Sequence, residues 1–448
     1  MIPQKKNTSQ LVFFFSFEDT LSPKHPLYIL ANKVDWNQLE ESFLPLYSPD
    51  NGRPAKPIRL MAGLLILKHI RNISDESVVE QWAENTYYQY FCGETSFVAS
   101  VPCEASELVH FRKRIGEEGI ALILKESIRI NGDDSNNADV NVDTTVQEKN
   151  ITFPTDTKLH RKIIKKCHQI AEKEGIILRQ SYKRVLKKLS VDQRFGNHPK
   201  TRKKALKANK KVKVIAGRLV RELERKLAEG FYVPELALFN QVLQQTRNSK
   251  QKIYSLHEPD VQCISKGKEH KKYEFGNKVS IVYNLSGVIV GAMGFRNEYD
   301  GHTLEPALQQ VEALTGKSPQ TASVDRGYRG RSVIGNTKIQ IPKPFNVKQS
   351  RYQQQKLKKA HRKRASIEPV IGHLKSDHRL NRNFYKGIFG DNINIMLAAA
   401  AFNFKRMMNK WKKSLLVLLE FCLHFSTMLT DRKSPQNSPR KQKIKVAF

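Results

Sequence analysis

The sequence predicts an all-helical N-terminal region followed by an α/β domain, and three observations carry that prediction. Apolar residues recur at helical spacing through residues 25–130. Alternating apolar and polar residues begin at Val140 and resume over 273–295. The polar stretch "NGDDSNNAD" (131–139) separates the two patterns and marks a domain boundary.

In the helical part, "KPIRLMAGLLILKHIRN" carries a stripe at Ile58, Met61, Leu64 and Leu65, with Pro57 placed to start the helix. The next segment, "ISDESVVEQWAENTYYQYF", opens on Ser74 and Asp75, residue types that cap a helix and suit its first turn. So short a turn is compatible with a helix-turn-helix or with a plain helical hairpin. A third helix is expected from near Ser106 to about Ile130.

Beyond the linker, Val140 and Val142 alternate with polar residues, which predicts a strand ending at Asp143. The character then changes. From 158 to 226 there are about two dozen Lys and Arg against about five acids, on helical stripes such as Val212, Ile215, Leu219 and Leu223. Pro234 starts another helix with Leu236, Phe239, Val242 and Leu243 inward. Residues 158–250 therefore read as a basic helical insertion in a domain that resumes as strands.

Those strands lie in "YEFGNKVSIVYNLSGVIVGAMGF" (273–295), with "LSG" as the turn. "TLEPALQQVEALTG" is a helix ended by Gly316, "QTASVDRGYRG" a short strand that breaks at Asp325, and "KIQIPKP" one more strand. The basic run at 351–364 is followed by two helices, the second being "DNINIMLAAAAFNFKRMM". "SLLVLLEFCLHFSTML" (414–429) is expected to be a docking helix. It is too short for a membrane span and contains Glu420 and His424. The Ser/Pro/Lys-rich tail from Asp431 is expected to be disordered.

A formal net charge of +34 and a pI near 9.9 call for a polyanionic partner. Nucleic acid fits better than a membrane surface, because the charge spreads over several structured segments. The five cysteines form no CxxC, which argues against a disulfide framework or structural zinc and for a reducing compartment. The run "LVFFFSF" is brief and followed by Glu18 and Asp19, a poor signal peptide. A cytoplasmic protein without a membrane segment is expected.

Three acids sit where local structure changes: Asp143 and Asp325 at strand ends, and Glu368 near a helix start. Carboxylates at strand ends converge beside one sheet edge, and hard oxygen donors suit Mg²⁺ or Mn²⁺. Two such ions could clamp both oxygens of an in-line phosphodiester displacement. After Asp325 comes "RGYRG", with Arg326 and Arg329 for phosphate. If the segment around Glu368 is helical, His361, Arg364 and Lys375 share its stripe, while Ile367, Val370, Ile371 and Leu374 form a separate core face. Pro369 allows a second arrangement, in which the helix begins there with Glu368 as its cap. The bland alternative is a salt-bridged surface glutamate.

"VDTT" around Asp143, "SVDRGYRG" around Asp325, and Arg364, Glu368 and Lys375 in the spacing R-x3-E-x6-K resemble the DDE transposases of bacterial insertion sequences, within them the family five group. The resemblance covers nearly the whole chain. It implies an RNase H-like catalytic domain over 139–412, a helical DNA-binding domain over 1–130, and a C-terminal helix and tail over 413–448. It further implies that Asp143, Asp325 and Glu368 bind Mg²⁺ or Mn²⁺ and that Arg364 and Lys375 meet DNA phosphates. The related signature often has Tyr where this chain has His361. The implied activity is cleavage at the element's ends and 3′-OH strand transfer into double-stranded target DNA, by a homo-oligomer on DNA. The rivals are a catalytically decayed DNA-binding protein and an RNase H-like nuclease that cleaves without joining.

Overall fold

The computed structural model describes residues 16–48, 54–227, 230–246, 248–265, 272–296, 298–328, 331–342 and 350–431. Arg329, the first residues of "LVFFFSF" and the tail beyond Asp431 lie outside the described residues. The chain divides into two units: residues 1–137, 286–289 and 397–448 form the first, 138–285 and 290–396 the second.

The first unit holds α1 (Phe17–Thr20), α2 (Pro26–Lys33), α3 (Trp36–Phe43), α4 (Ile58–Arg71), α5 (Asp75–Glu84), α6 (Thr86–Phe91) and α7 (Ala105–Ile130). Ser74 caps α5 by accepting from the Ser77 N–H, as its position predicts. α4 is buried on nearly every side, so its polar residues need internal partners. Lys68 Nζ reaches Asp75 at 2.8 Å, and Arg112 grips the same carboxylate through two nitrogens at 2.7 and 2.8 Å. In the same unit the Asn403 amide closes on the Ile289 backbone, accepting at 2.9 Å and donating at 2.8 Å, as an added β-strand would.

The second unit is built on β1 (Asp139–Lys149), β2 (Gln262–Ser265), β3 (Tyr273–Asn284), β4 (Ile289–Phe295), β5 (Thr321–Ser323), β6 (Val333–Ile334), β7 (Thr337–Gln340) and β8 (Arg382–Asn383). β1 is central. β3 lies antiparallel along one of its edges, while β5 and then β8 lie parallel along the other. β2 and β4 pair with β3, β7 runs parallel to β5, and β6 closes antiparallel on β7. The unit's helices are α8 (Asp156–Lys173), α9 (Lys183–Gln193), α10 (Pro199–Lys226), α11 (Val233–Gln244), α12 (Asp300–Thr315), α13 (Arg351–Ala365) and α14 (Ile367–Asp377). α8 to α11 follow β1 directly and share a core of their own, including Ile163, Cys167, Val212, Leu219 and Phe239.

Two expectations are corrected. β1 does not end at Asp143 but continues to Lys149, because Thr144 to Glu148 stay in unbroken register with β3 as far as Gly276. That pairing depends on glycine: a Cβ at Gly276 would stand 1.9 Å from the Gln147 carbonyl oxygen. The C-terminal segments form one helix, α15 (Gly387–Asp431), where two were expected. No Gly or Pro occurs after Gly390 in that span to interrupt it. No described helix is long and apolar enough to cross a membrane.

Candidate active site

A strand turns alternate residues to opposite faces, so Asp139, Asn141 and Asp143 share one face of β1 while Val140 and Val142 enter the core behind it. β5 runs beside it with Asp139 level with Thr321 and Asn141 level with Ser323. Asp143 and Asp325 each lie two residues past the last of these pairs, Asn141 and Ser323. The ladder itself stops at Ser323. Asp325 Oδ1 then accepts from the Gly327 N–H at 2.8 Å and starts a short turn over Arg326–Tyr328. β8 joins the same edge of β1 only from Glu148 onward. Between the two neighbours the edge of β1 is interrupted, and Asp143 lies in that stretch. Chains that part at the carboxyl end of parallel strands open the crevice in which α/β proteins take ligands. Both aspartates are half-buried.

The third acid comes to this face through a latch. Asn141 Nδ2 donates to the Lys363 carbonyl at 2.6 Å and to Ser366 Oγ at 3.0 Å, and Lys363 Nζ reaches Asp139 at 2.9 Å. The Thr321 hydroxyl also donates to Asp139. That hydroxyl, with the Lys363 ammonium, outweighs partial burial and holds the Asp139 carboxyl below the usual carboxylate range. These bonds fix the junction of α13 and α14, and Glu368 is the second residue of α14. Ile367, Val370 and Leu374 form the buried face of α14, which packs against β1, while Ile371 is half-buried.

Asn141 is fully buried, and Asn141→Ala would remove its bonds to the Lys363 carbonyl and Ser366 Oγ, leaving that carbonyl only the Ser366 hydroxyl. The expected cost is about 1–3 kcal/mol of stability. Through the loosened α14, a fall in DNA-processing activity of about 10- to 100-fold is expected, the size seen when a group supporting a metal ligand is lost. Denaturant unfolding and turnover measured side by side check this. Unchanged turnover in a destabilised variant would make the latch purely structural.

Glu368 is 61 % exposed, and its Oε1 accepts from Arg364 at 3.0 Å. His361 and Arg364 lie in the last turns of α13, on a different helix from Glu368, and Lys375 lies two turns further along α14. His361 and Lys375 are half-buried and Arg326 is exposed. Among the described residues, no group of three or more His, Cys, Asp and Glu side chains is disposed to hold a metal ion. Two acids thus follow the ends of paired parallel segments and the helix of the third is latched to β1, but three carboxyls do not close around one point. The donor chemistry suits a hard divalent ion, since all three groups are carboxylates. Asp139, Asn141 and Lys363 went unnoticed in the sequence. Their one signal was the two-residue spacing before Asp143 on the same strand face, which names no partner.

Comparison with known proteins bears on what this crevice serves. Residues 15–114 match the family model described as a transposase domain (DUF772), and residues 242–404 match that of the transposase DDE domain. The chain belongs to the DDE transposases of insertion sequences. In this transposase Asp325 and Glu368 fall inside the second matched segment, whereas Asp143 and α8 to α10 fall between the two. The transposase is 42 % identical over 183 residues to an uncharacterized protein, ORF8 in the nfe locus of Rhizobium meliloti, covering 40 % of this chain and 88 % of that one. No solved structure matches it.

Proposed function

We propose that this transposase cuts DNA at the ends of an insertion sequence and joins the exposed 3′-OH to target DNA, in an RNase H-like domain. The observation that carries the reading is the parallel pairing of β1 with β5 beside an interrupted sheet edge, with Asp143 and Asp325 each two residues past the last pair. The placement of antiparallel β3 and parallel β5 on either side of β1 supports the fold assignment.

Asp143, Asp325 and Glu368 would hold Mg²⁺ or Mn²⁺, which when bound supplies activation of the attacking oxygen and charge neutralisation at the phosphate. The chain's own share is placement. Two carboxyls come from adjacent chains of the sheet, and the Asn141 latch holds the helix that carries the third. To hold an ion Glu368 would give up its pair with Arg364, and an exposed pair of that kind is worth only about 0–1 kcal/mol. Arg364, once released, joins Lys375, His361, Arg326 and Arg329 in meeting DNA phosphates. The N-terminal helices read the element's ends, and the protein works as a homo-oligomer on double-stranded DNA in the cytoplasm.

The test is cleavage and joining on duplexes that carry the element's flanking repeats, with Mg²⁺, Mn²⁺ or EDTA. Nicked and joined products with either ion, and none with EDTA, are expected. Cleavage without joining would replace this reading with a nuclease. Tight DNA binding with neither product would leave a binding-only protein.

A further inference from the structure

α10 is 28 residues long, about 42 Å at 1.5 Å per residue. One face, including Val212, Ile215, Leu219 and Leu223, is buried in the core shared with α8 and α11. On the side turned away, Lys200, Lys207, Lys211, Arg218, Arg221 and Arg225 follow one another at intervals of seven, four, seven, three and four residues. At about 100° per residue these intervals keep all six within about 80° of arc, roughly 140° from the core face. The stripe runs about 37 Å along the helix.

All six residues are exposed, and none makes a salt bridge to a described residue. The salt bridges of this helix join Lys204 to Asp192 and Lys226 to Glu222, beside the stripe. Like charges at these spacings repel and weaken a helix by a few tenths of a kcal/mol per pair. An aligned row offset only in part, by Glu222 near Arg225, therefore opposes folding of the free protein and gains when an anion lies along it.

We infer that this stripe is a docking surface for the sugar–phosphate backbone of duplex DNA, an assignment that rests on the reading of the chain as acting on double-stranded DNA. Its length matches about one turn of the duplex, roughly 34–36 Å. No aromatic residue occurs from Pro199 to Lys226, so the stripe lacks the stacking groups that a single-strand site uses. The apolar face of the helix is already buried, and only Leu206 and Val214 remain exposed, too few to form the apolar face that enters a lipid surface.

The experiment compares two double variants of the full chain on a random-sequence duplex across a salt series. Lys207→Gln with Lys211→Gln removes two stripe charges. Arg202→Gln with Lys213→Gln removes two exposed charges about 120–140° around the same helix. Each phosphate contact contributes about 0.9 to the slope of log K against log[salt], so the stripe pair should lower that slope by about 1.8 and the control pair should leave it unchanged. Equal losses in both variants, or no loss in either, would overturn the assignment. The same loss on a single strand of equal length would overturn the choice of duplex. A native chain that shows the slope difference yet neither cleaves nor joins would sink the proposed chemistry and leave this surface standing.

Discussion

Replacing Glu368 with glutamine is expected to lower cleavage and joining together by about a thousandfold while leaving the fold and DNA affinity near native. Glutamine keeps the shape but removes the anionic oxygen that a hard divalent ion requires. Metal stabilisation of transition-state charge is worth several kcal/mol, and each 1.36 kcal/mol is tenfold in rate, so about 4 kcal/mol gives the thousandfold figure. Stability should barely move, because Glu368 is 61 % exposed and loses only the pair with Arg364. Asp143→Asn should be as damaging to activity, since Asp143 follows the β1 segment paired with β5 as Asp325 follows β5. The decisive comparison is product formation by native, E368Q and D143N chains under saturating Mg²⁺. Native activity in E368Q would make Glu368 a surface ion pair and remove it from the proposed site. An inactive D143N beside an active E368Q would point to a two-aspartate centre.

The largest stability effect is expected far from that chemistry, at Asp75. Its carboxylate is the counter-charge for Lys68 and Arg112, whose side chains are 3 % and 5 % exposed. Asp75→Asn leaves both cations buried with a neutral neighbour, and removing one partner of a buried pair costs about 3–5 kcal/mol. Burial alone would raise the Asp75 carboxyl, but Arg112 and Lys68 outweigh it and hold it down to about 2. A folded-state value below the unfolded one adds stability that is fully present above the ordinary value of 3.8 and is lost as pH falls toward about 2. Denaturant titrations of native and D75N chains should therefore differ most near neutral pH and approach each other through that acid range. A difference below about 1 kcal/mol at pH 7 would show that this trio contributes little net stability, as some buried ion groups do.

The helical N-terminal region was legible because its signals are local. Ser74 sits where its hydroxyl can cap α5, and the stripe on α4 needs only its own spacing to be seen. The strand ending predicted at Asp143 failed for a complementary reason. Thr144 to Glu148 carry no strong alternation, and it is pairing with β3, across a gap of more than a hundred residues, that keeps them extended. The α13–α14 break was readable from Pro369 only approximately: Ser366 forms the junction, and Glu368 is helical.

The sequence by itself determined the order of the three acids, the basic character of the chain and the helix-then-α/β plan, because charge, capping and periodicity are properties of neighbouring residues. The tertiary structure alone decided which of the segments that carry those acids lie side by side. The parallel register of β1 and β5 brings the ends that carry Asp143 and Asp325 side by side, and bonds from Asn141 and Lys363 tie the α13–α14 junction, just before Glu368, to β1. Register and latch are contacts between segments about 180 to 225 residues apart. Nothing in the local pattern of either segment names its partner; packing of the sheet does.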